Sequence, residues 1–225
     1  MISFKGRHFL KPVILMAIRW YLAYALSYRD IEELLSERGL RVDHATINRW
    51  VVEYSPQLAF AFKASKKPVK SSWRMDETYI KVKGQWMYQY RAVDKDGDTI
   101  DFYFAKNRDK KAALAFFRKA IKSCGKPTIV NIDKSGSNTS ALNEINKSLP
   151  KSKQINIRQN KYLNNRVEQD HRFIKKITRT MLGFKAMHSA RATLDGIELH
   201  HMLRKRQHVN SANESIFKQF YSLAG

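Results

Sequence analysis

Over the first fifty residues, apolar positions recur with the period of a helix. Ile14, Ala17, Ile18, Tyr21 and Leu22 share one face of a segment that the spacing predicts to end near Tyr24. Ser27-Tyr28-Arg29-Asp30 has the form of a capping box. It opens a second helix through Ile31, Leu34 and Leu35 to Arg38, where Gly39 stops it. Asp43 caps a third, with Ile47, Trp50, Val51 and Tyr54 facing inward and Pro56 just beyond its end. Two short helices joined by a glycine-containing turn, with another behind them, predict a helix-turn-helix. In that arrangement the second helix of the pair enters the major groove, so His44, Thr46, Asn48 and Arg49, with Arg41 on the approach, are the candidate DNA contacts. A helical bundle without nucleic-acid contact is the alternative on this pattern alone.

Residues 62–71 are polar, basic and contain Pro68, which reads as a linker. From Trp73 the period changes to two. Residues 73–82 form a strand, Lys83-Gly84 turns, residues 86–93 return, Asp96-Gly97 is a hairpin signal, and residues 99–105 make a third strand. A helix over 110–122, a short apolar strand over 128–132, a helix over 137–147 and a strand over 155–158 follow. Residues 164–179 and 190–204 read as helices. A three-stranded meander followed by alternating helices and strands is a mixed α/β sheet. The expected organisation is a helical domain over 1–61, a linker over 62–71, a mixed-sheet domain over 72–204 and a tail over 205–225.

Charge changes the picture from fold to partner. The 225 residues carry 42 Lys+Arg against 20 Asp+Glu, a net charge of +22. Residues 1–70 hold 12 basic and 6 acidic side chains and residues 71–204 hold 27 and 13, so the excess covers the whole body. Such a surface calls for a polyanion, of which nucleic acid is the commonest; a ribosomal or membrane-surface protein has the same charge signature. The single cysteine, Cys124, excludes an internal disulfide and a cysteine-based zinc site. The apolar run 13–26 contains Arg19 and falls short of the ~20 residues a bilayer requires, so no membrane partner is expected.

Three carboxylates stand out by their placement. Asp76 lies in the middle of the first strand, Asp133 at the end of the fourth, and Glu168 near the start of the helix that follows the sheet. If the first and fourth strands are neighbours, the two aspartates meet and the helix brings the glutamate beside them. Three converging acids repel one another and lose solvent, a cost that divalent cations remove. Hard oxygen ligands suit Mg²⁺ or Mn²⁺, and two such ions ~3.5–4 Å apart activate an attacking oxygen and stabilise a leaving one. Each acid has a plainer reading: Asp76 or its neighbour Glu77 facing solvent on a strand, Asp133 ending one, Glu168 favoured by a helix dipole. Between Lys151 and Lys185 there are ten Lys/Arg and only two acids. Glu168, Arg172 and Lys175 share a helix face, which suits a metal beside a phosphate backbone. His171 could line the site, while His188, His200 and His201 lack zinc-ligand spacing.

Together these residues are recognisable. Trp73-Arg74-Met75-Asp76-Glu77-Thr78-Tyr79-Ile80-Lys81-Val82-Lys83-Gly84, Asn131-Ile132-Asp133-Lys134-Ser135-Gly136 and Lys161 through Arg172 resemble the catalytic blocks of small bacterial transposases of the IS-six group (the IS-twenty-six relatives). Leu26 through Ile31 and Thr46 through Val51 are similar to the group's N-terminal region. The resemblance implies an RNase H-like fold with a DDE site made of Asp76, Asp133 and Glu168, and a DNA-contacting basic residue at Lys175. It also implies Mg²⁺-dependent cleavage at transposon ends by water, then attack of the freed 3′-OH on target DNA to give cointegrates. Homodimers acting on paired inverted repeats of double-stranded DNA, in the bacterial cytoplasm at the nucleoid, are the expected setting. The alternatives are a helix-turn-helix regulator without catalysis and an RNase H-like nuclease without strand transfer.

Overall fold

The computed structural model describes residues 2–160 and 164–225; the part of the third sequence block over 161–163 lies outside them. The chain divides into two compact units, one made of Met1–Lys67 with Ile174–Gly225 and the other of Pro68–Phe173.

The second unit is built on a five-stranded sheet, ordered β3-β2-β1-β4-β5. Strand β1 (Ser72–Val82) pairs antiparallel with β2 (Gln85–Asp94), and β2 antiparallel with β3 (Thr99–Ala105). Parallel pairing joins β1 to β4 (Ile129–Ile132) and β4 to β5 (Asn156–Gln159). The meander follows from its turns. Lys83 and Gly84 both take positive φ, 49° and 77°, as a tight two-residue hairpin requires. At the other end Asp94 Oδ1 accepts from the backbone N–H of Asp96 and Asp98, and its Oδ2 accepts from Lys70 N, tying the incoming segment to the sheet.

Helix α4 (Lys110–Cys124) is capped by Asp109, whose side chain accepts from Ala112 N at 2.8 Å. It lies against β3 and α5 (Gly136–Lys147). Trp73, Met75, Tyr90, Val130 and Ile132 from the sheet close a core with Phe116, Phe117, Ala120, Ala141 and Leu142 from the two helices. Strand alternation places those sheet residues on one face, while β4 is buried along nearly its whole length, as the fourth apolar run predicts.

Helix α6 (Asn165–Thr180) starts in this unit. Three polar contacts dock its first turns. Asn131 Nδ2 donates to Asn164 Oδ1 at 2.5 Å, Asn164 Nδ2 donates to Met75 O at 3.3 Å, and Arg91 Nη2 pairs with Asp170 Oδ2 at 2.8 Å. Arg91 is fully buried and stands directly across from Asp76 on the neighbouring strand.

The helical unit contains α1 (Lys11–Ala23), α2 (Tyr28–Ser36), α3 (His44–Ser65), α7 (Met187–Arg204) and α8 (Ile216–Ser222). The capping box at Ser27 and Asp30 forms as the sequence predicts, with both reciprocal bonds made. Asp43 caps α3 by accepting from Ala45 N and Thr46 N. Two sequence expectations are corrected. Pro56 does not end the third helix, which runs to Ser65 and takes in the start of the segment read as a linker over 62–71. Tyr54, Leu58 and Phe62 explain this, since they are spaced four apart and fully buried, and that packing outweighs the hydrogen bond lost at the proline. Within residues 205–225, expected as a tail, α8 buries Phe220 and packs on α7 and α1. Helix α7 falls in the compact helical unit, although 72–204 was expected to be one domain. Its apolar residues pack along α3 and α1. Among the described residues no helix is long and apolar enough to cross a membrane.

One position sets how closely α7 approaches its neighbours. A Cβ built on Gly196 would lie 2.6 Å from Leu22 Cδ2 and 2.9 Å from Ser55 Cβ, both buried. Gly196→Ala is expected to lower unfolding stability by about 1–3 kcal/mol through overpacking, despite alanine's better helix propensity. Denaturant unfolding followed by far-UV circular dichroism measures it; unchanged or raised stability would show that the three helices part at no cost.

Candidate active site

The parallel register of β1 and β4 pairs Ser72 with Ile129, Trp73 with Val130 and Arg74 with Asn131. Carried two residues further, it brings Asp133 alongside Asp76, at the carboxyl end of β4 where the chain leaves for α5. Asp76, Glu77 and Asp133 each present an oxygen within 4.8 Å of the others. Asp133 Oδ1 accepts from Ser135 N at 3.1 Å, which fixes the acid in the turn before α5. Asn138, buried in the first turns of α5, donates to Glu77 at 3.0 Å and reaches Asp133 at 3.5 Å.

Arg108, in the loop before α4, bridges two of the acids. Its Nη2 lies 3.3 Å from Glu77 Oε2 and 3.0 Å from Asp133 Oδ2. On the other side of the strand His171 Nε2 lies 3.5 Å from Asp76 Oδ2, and the imidazole is buried on α6. Glu168 is one turn earlier on the same helix and exposed. It stands outside the close cluster, yet its charge reaches Asp76 and helps hold the aspartate's proton.

Electrostatics follow from this crowding. Burial pushes the Asp76 carboxyl up from 3.8 to about 7, helped by the charges of Glu77, Asp133 and Glu168 and opposed by a hydrogen bond from the backbone N–H of Glu77. Burial also raises Glu77, opposed by Arg108 and Asn138. A set of hard carboxylate oxygens crowded at one strand end is the donor chemistry that Mg²⁺ and Mn²⁺ take.

The residues predicted from sequence divide as follows. Asp76 and Asp133 meet. Glu168 shares their unit and influences Asp76 from the adjoining helix. Arg172 and Lys175 are exposed on α6. In the helical unit Arg41 and Arg49 are exposed, and Arg49 Nη2 donates to Thr46 Oγ1 at 2.7 Å. His44 Nδ1 lies 2.9 Å from Glu32, and Asn48 is half-buried with a hydrogen bond to the Tyr28 hydroxyl. Burial drops His200 to about 3, so it is neutral at ordinary pH. Sequence reading missed three members of the site. Glu77 enters the sequence reading only as a neighbour of Asp76, either of which strand alternation could turn to solvent, yet its side chain is 3 % exposed. Arg108 and Asn138 carried no local signal; only the fold brings them in.

A mixed sheet with carboxylates converging at the end of a parallel strand pair presents the oxygen-rich donor set of a divalent-metal site. Residues 70–207 match the family described as a DDE domain (DDE_Tnp_IS240). The transposase for insertion sequence-like element IS431mec of Staphylococcus aureus is 43 % identical over 203 residues, covering 90 % of this chain and 89 % of the relative. The transposase of IS257 in transposon Tn4003, also from Staphylococcus aureus, shows the same identity and coverage. The chain therefore belongs to the DDE transposases of the IS-six family of insertion sequences. Among solved structures, the catalytic core domain of HTLV-2 integrase in complex with magnesium (dimeric form) is similar with a TM-score of 0.46 and 20 % identity, over 57 % of this chain and 85 % of that one. The trimeric form scores 0.41 at 17 % identity, over 71 % and 86 %. As a DDE enzyme the protein uses divalent metal, and the oxygen-rich cluster fits that need.

The Asp76 proton gives a test. In the unfolded chain this carboxyl ionises near its ordinary value, whereas folded it keeps its proton to about pH 7. The raised value stabilises the metal-free fold at low pH, and that contribution is lost as pH rises through about 7. Metal-free protein is expected to lose thermal stability relative to Asp76→Asn between about pH 5 and pH 8, and Mn²⁺ is expected to restore wild type at the upper end. Parallel pH profiles of the two proteins would contradict the assignment.

Proposed function

We propose that Asp76 and Asp133, with Glu168 completing the shell, hold two divalent ions, Mg²⁺ or Mn²⁺, and that this centre cuts transposon ends and joins them to target DNA. The observation that carries the reading is the meeting of Asp76, Glu77 and Asp133 within 4.8 Å at one strand end. When bound, the metal activates the attacking oxygen and stabilises the leaving oxygen of an in-line displacement. The chain's own residues bind, orient and neutralise. The carboxylates deprotonate to accept the cations, so Asp76 releases its proton on loading. Arg172 and Lys175, exposed on the helix that carries Glu168, hold the scissile or flanking phosphates. Water is the nucleophile in the first step, and the freed 3′-OH in the second, which joins donor to target and yields a cointegrate.

Recognition of the terminal inverted repeats falls to the helix-turn-helix within residues 1–61. Arg41 and Arg49 are exposed at the start of α3, beside Thr46, and supply the phosphate and base contacts. His44 and Asn48 are placed to contribute once their bonds to Glu32 and Tyr28 exchange for DNA. The net charge of +22 supports double-stranded DNA as the partner, at both the ends and the target. The active form is a homodimer that pairs two ends, working in the bacterial cytoplasm at the nucleoid.

Purified protein, Mg²⁺, a labelled end oligonucleotide and a target plasmid separate the readings. Joined product supports strand transfer, nicked product alone a nuclease, and binding without cleavage a regulator. Asp76→Asn, Asp133→Asn and Glu168→Gln are each expected to lower cleavage by more than the 10–100-fold that loss of an outer partner costs in metal sites. Intact cleavage in all three would sink the metal assignment. Arg49→Ala is expected to weaken end binding and to reduce the slope of log affinity against log salt by about 1, measured by anisotropy across a salt series.

A further inference from the structure

The β1–β2 hairpin carries a surface that the metal centre does not use. Strand β4 pairs with β1 only through Arg74, and β3 leaves β2 at Tyr88. Residues 80–82 and 85–87 thus reach past both neighbouring strands of the sheet. One face of this extension, through Ile80, Val82 and Met87, is buried. The other carries Tyr79, Tyr88 and Trp86 in sequence toward the tip. Tyr79 and Trp86 are 51 % and 61 % exposed, unusual for large rings on a strand.

The strand register turns these residues into a track. Glu77 opposes Tyr90, Tyr79 opposes Tyr88, and Lys81 opposes Trp86, each step two residues further along one face. The Tyr79 ring centroid lies 5.4 Å from that of Tyr88 and 6.3 Å from that of Trp86, and Lys81 Nζ stands 5.9 Å from the Trp86 centroid. At its inner end the track meets Glu77, which belongs to the carboxylate cluster, and Arg108, whose charge interacts with Tyr79. At its outer end is Lys83 in the turn.

We propose that this face binds single-stranded DNA, stacking unpaired bases on Tyr79 and Trp86 while Lys81, Lys83 and Arg108 hold the phosphates, as the strand leaves the reacting centre. Two observations favour this occupant over a second copy of the chain. The exposed cations toward the tip, Lys81 and Lys83, stand beyond the two acids, Glu77 and Asp133, that Arg108 engages at the inner end. A second copy, itself at +22, would bring like charge to a basic surface, whereas a strand of phosphates brings the complement. Exposed rings interleaved with cations are also the combination by which proteins hold unpaired nucleic acid without reading its sequence, since every base offers a face for stacking. The proposal rests on the carboxylate cluster as the reacting centre only for the direction in which the strand runs.

The test uses full-length protein in metal-free buffer with EDTA. Fluorescein-labelled single-stranded DNA and the duplex of the same end sequence are titrated separately by anisotropy. Trp86→Ala and Tyr79→Ala are each expected to weaken single-strand binding about 5- to 100-fold and to change duplex binding less than about twofold. Trp86→Phe, which keeps a ring, is expected to retain most of the single-strand affinity. Both side chains are more than half exposed, and melting curves of the variants check that the fold is kept. Equal losses on both DNA forms, or no loss on either, would overturn the proposal. A change in sedimentation without a change in single-strand binding would overturn it too, and would assign the face to self-association. Because no metal is present, failure of the metal assignment leaves this outcome untouched: intact cleavage in Asp76→Asn, Asp133→Asn and Glu168→Gln together would refute the one, and Trp86→Ala that still binds the single strand would refute the other.

Discussion

The parallel pairing of β1 with β4 is the constraint on which the site depends. It aligns two aspartates that are 57 positions apart in the chain, and it does so where β4 ends and backbone no longer fills the space beside them. Two features go with that crowding. Burial, with the charges of Glu77 and Asp133, pushes the Asp76 carboxyl up to about 7, and the Arg108 guanidinium spans Glu77 and Asp133. Both are replaceable. Asp76, Glu77 and Asp133 would hold a dication in place of the proton and the guanidinium, and its double charge would offset more of the carboxylates' repulsion than either.

The second constraint is the seating of α6. An exposed helix rich in Lys and Arg has little apolar surface with which to choose its register; Val167, Ile174 and Ile177 are its buried aliphatics. Direction is added by polar groups. The Arg91–Asp170 pair and the Asn131–Asn164–Met75 chain are buried and geometrically demanding, so a helix rotated or slid by one residue would leave a charge or an amide unpaired. Asp76 and Arg91 are cross-strand partners, and their contacts on α6 are the consecutive residues His171 and Asp170. The strand pair thereby sets the position of the turn that bears Glu168.

Much of this was legible in the chain. Alternating apolar positions, the Lys83-Gly84 turn and the short aliphatic run before Asp133 located all five strands to within a residue or two, because those signals are local. The capping box at Ser27 and the cap at Asp43 likewise act within one turn. What escaped was decided at a distance. Pro56 is a helix breaker by propensity, but burial of Leu58 and Phe62 beyond it carries the helix on. Phe220 needed α1 and α7 before its short helix had anything to bury against. Alternation left open which of Asp76 and Glu77 faces solvent, and it did turn Glu77 away from Asp76's face. The face it turned to, however, is covered by Asn138 and Arg108, which arrive from segments 61 and 31 positions away.

The same alternation explains how one strand serves two purposes. Asp76 looks toward α6, where His171 and the charge of Glu168 lie, while Glu77 looks toward α5 and Arg108. Their carboxyl groups reach one another at the free edge of β1, where β4 has stopped. An interior strand with neighbours along its full length would hold these two side chains apart on opposite faces of the sheet. A short β4 is therefore a condition for the cluster. The long β1–β2 hairpin is the other consequence of that mismatch, because the residues left unpaired past β4 form its extended tip. The metal site and the aromatic face beyond it thus have one geometric cause, eleven residues of β1 set against four of β4.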